Sequence, residues 1–184
     1  VFIAAWLTGF GKRWLIIGVA FNMALLSILY HYHALLPTIG VELQRNRTPF
    51  HKRLGWRELG AQVRQWADAH PNAVLVSQSR GLLSYMSYYG IEFGKPVAAW
   101  NPGGRIDSQY DLKKDLSLLP NAEFLFLSKR PLNEQLLSCF SDSQPLGVAQ
   151  VKVFSDLERQ AHGYLLKGFL GYDACRSQSG TASS

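Results

Sequence analysis

Cysteine is scarce in this sequence, with two residues in 184, and that excludes a small domain built on a disulfide framework. Charge is scarce as well. Charged side chains make up 17% of the chain, against about 25% in an ordinary soluble domain. The shortage is local: residues 1–41 carry only Lys12 and Arg13, and all 13 acidic residues lie beyond them. There is no internal repeat and no low-complexity block, so collagen-like and coiled-coil rods are excluded. Walker loops, G-x-S-x-G and H-E-x-x-H are absent too. What the chain has in quantity is apolar residues at 47%, with 12% aromatics. That is enough to bury a core, which excludes intrinsic disorder for most of its length. A membrane-attached globular domain remains.

The chain opens on Val1 inside an apolar run, VFIAAWLTGF, and reads as a piece of a longer protein. Gly11-Lys12-Arg13 interrupts the run. Residues 14–41 then contain no Asp, Glu, Lys or Arg, and residues 14–36 hold 18 apolar side chains in 23. At about 1.5 Å per residue, such a helix outreaches a hydrocarbon core of about 30 Å. Trp14 marks one edge and Tyr30 and Tyr32 the other, where amphipathic rings prefer the headgroup zone. Pro37 and Gly40 are expected to end the helix. A signal peptide would be shorter and followed by an A-x-A site; a buried core helix would be shorter and carry a polar face. If residues 1–10 close an earlier span, Gly11-Lys12-Arg13 is a tight loop and the protein is polytopic. Basic residues flank both ends, so the positive-inside rule does not fix orientation.

Beyond the span, residues 42–54 (ELQRNRTPFHKRL) form a basic connector. Residues 55–70 predict an amphipathic helix, with Trp56, Leu59, Val63, Trp66 and Ala67 on one stripe and Arg57, Glu58, Arg64 and Asp68 opposite. Strands are expected at 73–77, 96–100 and 123–128, then near 147–154 and 163–170. Helices are expected at 81–89, 110–118 and 131–140, with loops at 101–105 and 141–145. Alternating strands and helices imply an α/β fold. The architecture expected is a membrane helix or helices at 1–41 and the connector at 42–54. A three-layer α/β domain follows at 55–172, with a mostly parallel sheet and an antiparallel edge. The last residues, 173–184, are expected to be a disordered tail with nothing to bury.

Candidate chemistry is sparse. Ser77-Gln78-Ser79-Arg80-Gly81 follows a strand and opens a helix, where free N–H groups can hold an anion on Ser77, Ser79 and Arg80; an ordinary Ser-capped helix start explains the same residues. Pro102-Gly103-Gly104-Arg105 has the look of a phosphate-cradling fragment without the spacing of a known loop, and a plain turn accounts for it. His31 and His33 sit about 200° apart on a helix and cannot share one metal, so no metal site is expected. Cys139 and Cys175 pair in an oxidising compartment and otherwise stand as one buried and one exposed thiol. Asp107, Asp111 and Asp115 recur every four residues, as a solvated stripe does. Arg45, Arg47, Lys52, Arg53 and Arg57 form a basic cluster beside the span. Such a cluster can grip anionic headgroups or a lipid-linked phosphate; a solvated linker is the plainer account. Nucleic acid is a poor partner, because 17 basic and 13 acidic residues beyond position 41 leave a net of only +4.

A final span, a basic connector and then R-L-G-W-R-E-L-G (residues 53–60) resemble the C-terminal end of bacterial GT-C membrane glycosyltransferases. These are of the dolichyl-phosphate-mannose protein mannosyltransferase and aminoarabinose transferase type. The strand AVLVS, the Tyr88-Tyr89 pair, the element QYDL (109–112), the strand EFLFL and Phe140 before the closing strands agree with it. The resemblance implies a polyprenyl-phosphate-linked sugar as donor and transfer on the periplasmic face of the inner membrane by a multi-pass protein. It implies acidic catalytic residues in an early external loop, so none is assigned here. No cofactor is expected in these residues, although the whole enzyme can use a divalent metal. Membrane lipids, the lipid-linked sugar and the preceding membrane domain are the partners implied. A membrane-tethered α/β module that binds a ligand or a protein, without catalysis, is the alternative.

Overall fold

The computed structural model describes residues 12–38, 40–41, 44–48, 50–90, 96–106, 109–111, 116, 119 and 121–177. It divides into two compact units, Val1–Pro49 and Phe50–Ser184.

The first unit is dominated by helix α1, Lys12–Thr38. Its segment Arg13–Tyr32, 20 residues with mean hydropathy 1.7, is long and apolar enough to cross a membrane. Two of its polar side chains bond to the helix backbone: Asn22 Nδ2 donates to the Gly18 carbonyl at 2.8 Å and Thr38 Oγ1 to that of Leu35. Such back-bonding lowers the cost of a polar group in an apolar medium. The helix passes through Pro37 and closes on Gly40 at φ 75°. Gly40 N donates to Pro37 O and Val41 N to Leu36 O, the paired bonds of a Schellman cap. Arg45–Arg47 then makes one 3-10 turn.

The second unit runs through a 3-10 turn at His51–Arg53, helix α2 (Trp56–Ala69), strand β1 (Val74–Ser77), helix α3 (Arg80–Tyr89) and strand β2 (Val97–Ala99). Strand β3 (Glu123–Ser128), helix α4 (Glu134–Leu137), strands β4 (Phe140–Phe154) and β5 (Leu157–Phe169) and helix α5 (Tyr172–Ser177) complete it. The five strands form one mixed sheet in the order β2-β1-β3-β5-β4. It is parallel where β1 meets β2 and β3, and antiparallel from β3 through β5 to β4.

All four residues of β1 are buried, as its unbroken apolar run requires of a strand covered on both faces. Alternate residues feed two separate clusters, because side chains on a strand point to opposite faces. Leu75, Leu125, Leu127 and Leu165 pack with Leu59 and Val63 of α2 and Leu82 and Met86 of α3. Val74, Val76, Phe124, Phe126 and Leu166 pack with Leu136, Cys139, Phe140 and Phe169. Glu123 and Lys167 stand opposite each other on β3 and β5 and pair at 2.6 Å. The hydrogen bond that Lys167 donates to the Glu123 carboxylate, helped by that group's charge, raises the Lys167 pKa above its ordinary value. A raised cation stabilises the fold below its ordinary value and loses that effect only as pH climbs past the raised one. The pair therefore persists at physiological pH.

The R-L-G-W-R-E-L-G stretch builds the start of this unit. Gly55 sits at φ 81°, and a Cβ there would collide with the Val153 side chain. Trp56 Nε1 donates to Lys52 O at 2.8 Å, and its ring stacks on Tyr85 at 4.3 Å. The Arg159 guanidinium lies 4.7 Å from the same ring while donating to His51 O at 2.8 Å and to Leu54 O at 3.4 Å. Residues 51–54 are thereby clipped to β5. Gly60 lets α2 and α3 touch backbone to backbone: a Cβ would fall 2.8 Å from Tyr89 Cβ and 2.9 Å from Tyr89 C. We expect Gly60→Ala to destabilise this unit by about 1–3 kcal/mol, the usual cost of overpacking. Urea unfolding measures it, and an unchanged midpoint would contradict that close approach.

Several expectations need correction. The helix expected at 131–140 is one turn, Glu134–Leu137, because Asn133 caps it with its side chain and Phe140 already belongs to β4. The loop expected at 141–145 lies inside β4, a 15-residue edge strand, and β5 begins at Leu157 rather than 163. The helix expected at 110–118 falls mostly outside the described residues; Gln109, Tyr110 and Asp111 form a turn. The tail expected from 173 begins with a helix that reaches Ser177, and 178–184 lie outside the described residues. The sheet is parallel in only half of its pairings.

β4 meets the hazard of an exposed edge in three ways. Pro145 removes a donor, the ladder shifts register between Pro145 and Gly147, and Gln62 of α2 covers Gln150. Gln62 Nε2 donates to Gln150 O at 3.0 Å while its Oε1 accepts from Gln150 N at 2.9 Å. The carboxamide takes the place of a neighbouring strand.

Candidate functional site

In the strand order, β1 lies between β2 and β3. The chain leaves β1 through α3, which packs in the first cluster, and leaves β3 through α4, which packs in the second. Connections that part to opposite faces open a crevice at the carboxyl ends of the strands, and ligands of open α/β sheets bind there.

Two cavities occupy that place. One, of about 310 Å³, lies among Ser77, Arg80, Trp100, Asn101, Arg105 and Asp111. The other, of about 440 Å³, lies among Trp100, Gly103, Asn133, Gln135, Cys139 and Tyr172. Gln78 lines both, as does Trp100. Both volumes fall in the range of small-molecule sites, about 300–1,000 Å³.

Each wall is held by bonds that the local sequence explains. Ser77 is buried at the end of β1, and its Oγ accepts from Ser79 N at 3.0 Å. Ser79 caps α3: its Oγ accepts from Leu82 N at 3.4 Å and its carbonyl from Leu83 N at 2.9 Å. Ser77, Ser79 and Arg80 are thus brought together, with both hydroxyls serving the helix start. Asn101 begins a turn in which Gly104 N donates to its carbonyl, and its Nδ2 donates to Arg105 O at 2.7 Å. The 101–105 segment is therefore a turn, as its Pro-Gly-Gly content implies, and it delivers Arg105 to the first cavity. Trp100 is anchored by Phe126, Phe140, Phe169 and Tyr172, with ring centroids 5.0–6.0 Å away. Ser84 Oγ and Tyr110 OH lie 3.0 Å apart and tie that wall to α3.

Among the other candidates, Arg45 is exposed in its 3-10 turn, and the side chain of Arg47 lies outside the described part. Lys52, Arg53 and Arg57 are all exposed on the second unit. Asp111 lines the first cavity; Asp107 and Asp115 lie outside the described residues, as does the side chain of His33. Cys139 is disulfide-bonded; the sequence offers one partner, Cys175, whose side chain lies outside the described part. Among the described residues no three His, Cys, Asp or Glu side chains group as metal ligands. Sequence reasoning missed Gln78, Asn133 and Gln135. The signal that marks Gln78 is its place, the first residue past a buried strand of a βα unit.

No protein-family model, no curated protein and no solved structure matches the chain.

Proposed function

We propose that this chain is the C-terminal part of a bacterial GT-C membrane glycosyltransferase. That enzyme moves a sugar from a polyprenyl-phosphate donor to a lipid or protein acceptor. The α/β unit is its accessory domain on the periplasmic side, with helices on both faces of the sheet in three layers. The catalytic carboxylates belong to an external loop outside these residues.

One observation carries the reading. The stretch on which the family resemblance rests helps hold residues 51–54 in the α/β unit: Trp56 bonds Lys52 O and lies under Arg159, which bonds His51 O, and Gly55 packs against Val153. A motif that orders the first residues of the α/β unit suits a domain that follows directly on a basic segment and a membrane span. The disulfide at Cys139 supports the periplasmic side, because such bonds persist in oxidising compartments. The exposed Lys52, Arg53 and Arg57 suit a surface facing anionic lipid phosphates.

The test compares the 184-residue chain with the whole natural protein, using a radiolabelled sugar on a polyprenyl phosphate. We expect transfer by the whole protein alone. Transfer by the 184 residues would overturn the accessory assignment, and transfer by neither would overturn the enzyme. A second reading, a membrane-tethered ligand-binding module, is favoured by the paired cavities at the strand ends.

A further inference from the structure

We propose that the two cavities form one cleft that binds a short acidic oligosaccharide. This inference stands apart from sugar transfer, since a transferase domain and a tethered binding module can equally carry such a cleft.

The cleft has the extent for more than one sugar ring. Its compartments of about 310 and 440 Å³ adjoin at Gln78 and Trp100, directly past the end of β1. Its chemistry is that of hydroxyl recognition. Carboxamides converge from three segments: Gln78 after β1, Asn101 after β2, and Asn133 and Gln135 at the start of α4. A carboxamide presents a donor and an acceptor side by side, which matches the neighbouring hydroxyls of a pyranose.

Two of these groups are held in place with one function committed and the other left over. Asn101 Nδ2 donates to Arg105 O, so its Oδ1 remains to accept. Asn133 Oδ1 accepts from Leu136 N at 3.0 Å, so its Nδ2 remains to donate. The side chains of Gln78 and Arg105 are exposed and hydrogen-bond no other described residue. Trp100, Tyr110 and Tyr172 supply flat aromatic surface with polar tips, suited to the C–H faces of sugar rings rather than to an acyl chain.

Charge selects the acidic kind. Among the described residues, Arg80 and Arg105 line the first compartment with one carboxylate, that of Asp111. A guanidinium fork matches carboxylate and phosphate geometry with two parallel bonds.

The test uses the full chain in a non-glycosidic detergent, titrated with tetragalacturonate, cellotetraose or inorganic phosphate and followed by tryptophan fluorescence. We expect saturable binding of tetragalacturonate, at least tenfold tighter than cellotetraose. Gln78→Ala should weaken both sugars about tenfold, and Arg105→Gln should weaken tetragalacturonate alone, to the level of cellotetraose. Both residues are exposed, so thermal melting of the variants should match the parent. Saturation by neither sugar, or binding indifferent to both substitutions, would overturn the proposal. Phosphate displacing tetragalacturonate at equal concentration would overturn it as well, by reducing the cleft to an anion site.

Discussion

Replacing Trp56 by Ala lowers the stability of the α/β unit by about 3–5 kcal/mol, the range for removing a large buried aromatic. The side chain is only 7% exposed. It packs with Leu59 and Val63 of its own helix cluster and stacks on Tyr85 with planes 8° apart. Truncation removes that surface and also takes the ring from beneath Arg159, a cation–π contact of about 0.5–2 kcal/mol. It further strips Lys52 O of its indole donor. Trp56→Phe separates these effects, since it keeps a ring against Tyr85 and loses the hydrogen bond; about 1 kcal/mol is expected for that bond. Urea unfolding followed by circular dichroism gives both values. A loss below about 1 kcal/mol for the alanine variant would mean that the start of the α/β unit is not anchored at this residue.

The second large effect concerns the membrane surface. With residues 1–41 removed, the remaining chain should stay soluble and cooperatively folded. It should bind vesicles containing anionic lipid at low salt. Changing Arg45, Arg47, Lys52 and Arg53 to Gln then removes about 1 kcal/mol per residue, or about a thousandfold in affinity for four. The fold should not suffer, because Lys52 contributes its backbone carbonyl to the Trp56 bond rather than its ammonium group. Raising salt from 0.01 to 0.15 M shortens the Debye length from about 30 to about 8 Å and should weaken the parent far more than the variant. Equal binding by parent and variant would remove the headgroup role from this cluster.

Much of the fold was legible because burial leaves a period in the sequence. Trp56, Leu59, Val63 and Ala67 recur at helical spacing with charges opposite, and they are the buried face of α2. The apolar runs in β1 and β3 announce strands covered on both faces. The second half of β4 was expected as a strand near 147–154, and its first half was not legible. The sequence FSDSQPL reads as a loop, since Asp and Pro are rare in interior strands. At a sheet edge those residues are tolerated, and its polar side chains face solvent. The Gln62 bond to Gln150 joins residues 88 apart and leaves no local trace.

The candidate site was legible only in part. Ser79 before a helix is a local signal, and its cap is present. Gln78, Asn101, Arg105 and Asn133 come from loops after three different strands, and only the sheet order β2-β1-β3 brings them to one crevice. No spacing along the chain encodes that order. The glycines of R-L-G-W-R-E-L-G stood out as a motif. Their reason, the near collisions with Val153 and Tyr89, is tertiary.

The coding sequence immediately upstream of Val1 tests the central claim most directly. The account predicts a series of further hydrophobic spans, with acidic residues in the first external loop. A start codon within a few dozen residues of Val1 would contradict it, leaving a tethered α/β module with no transferase attached.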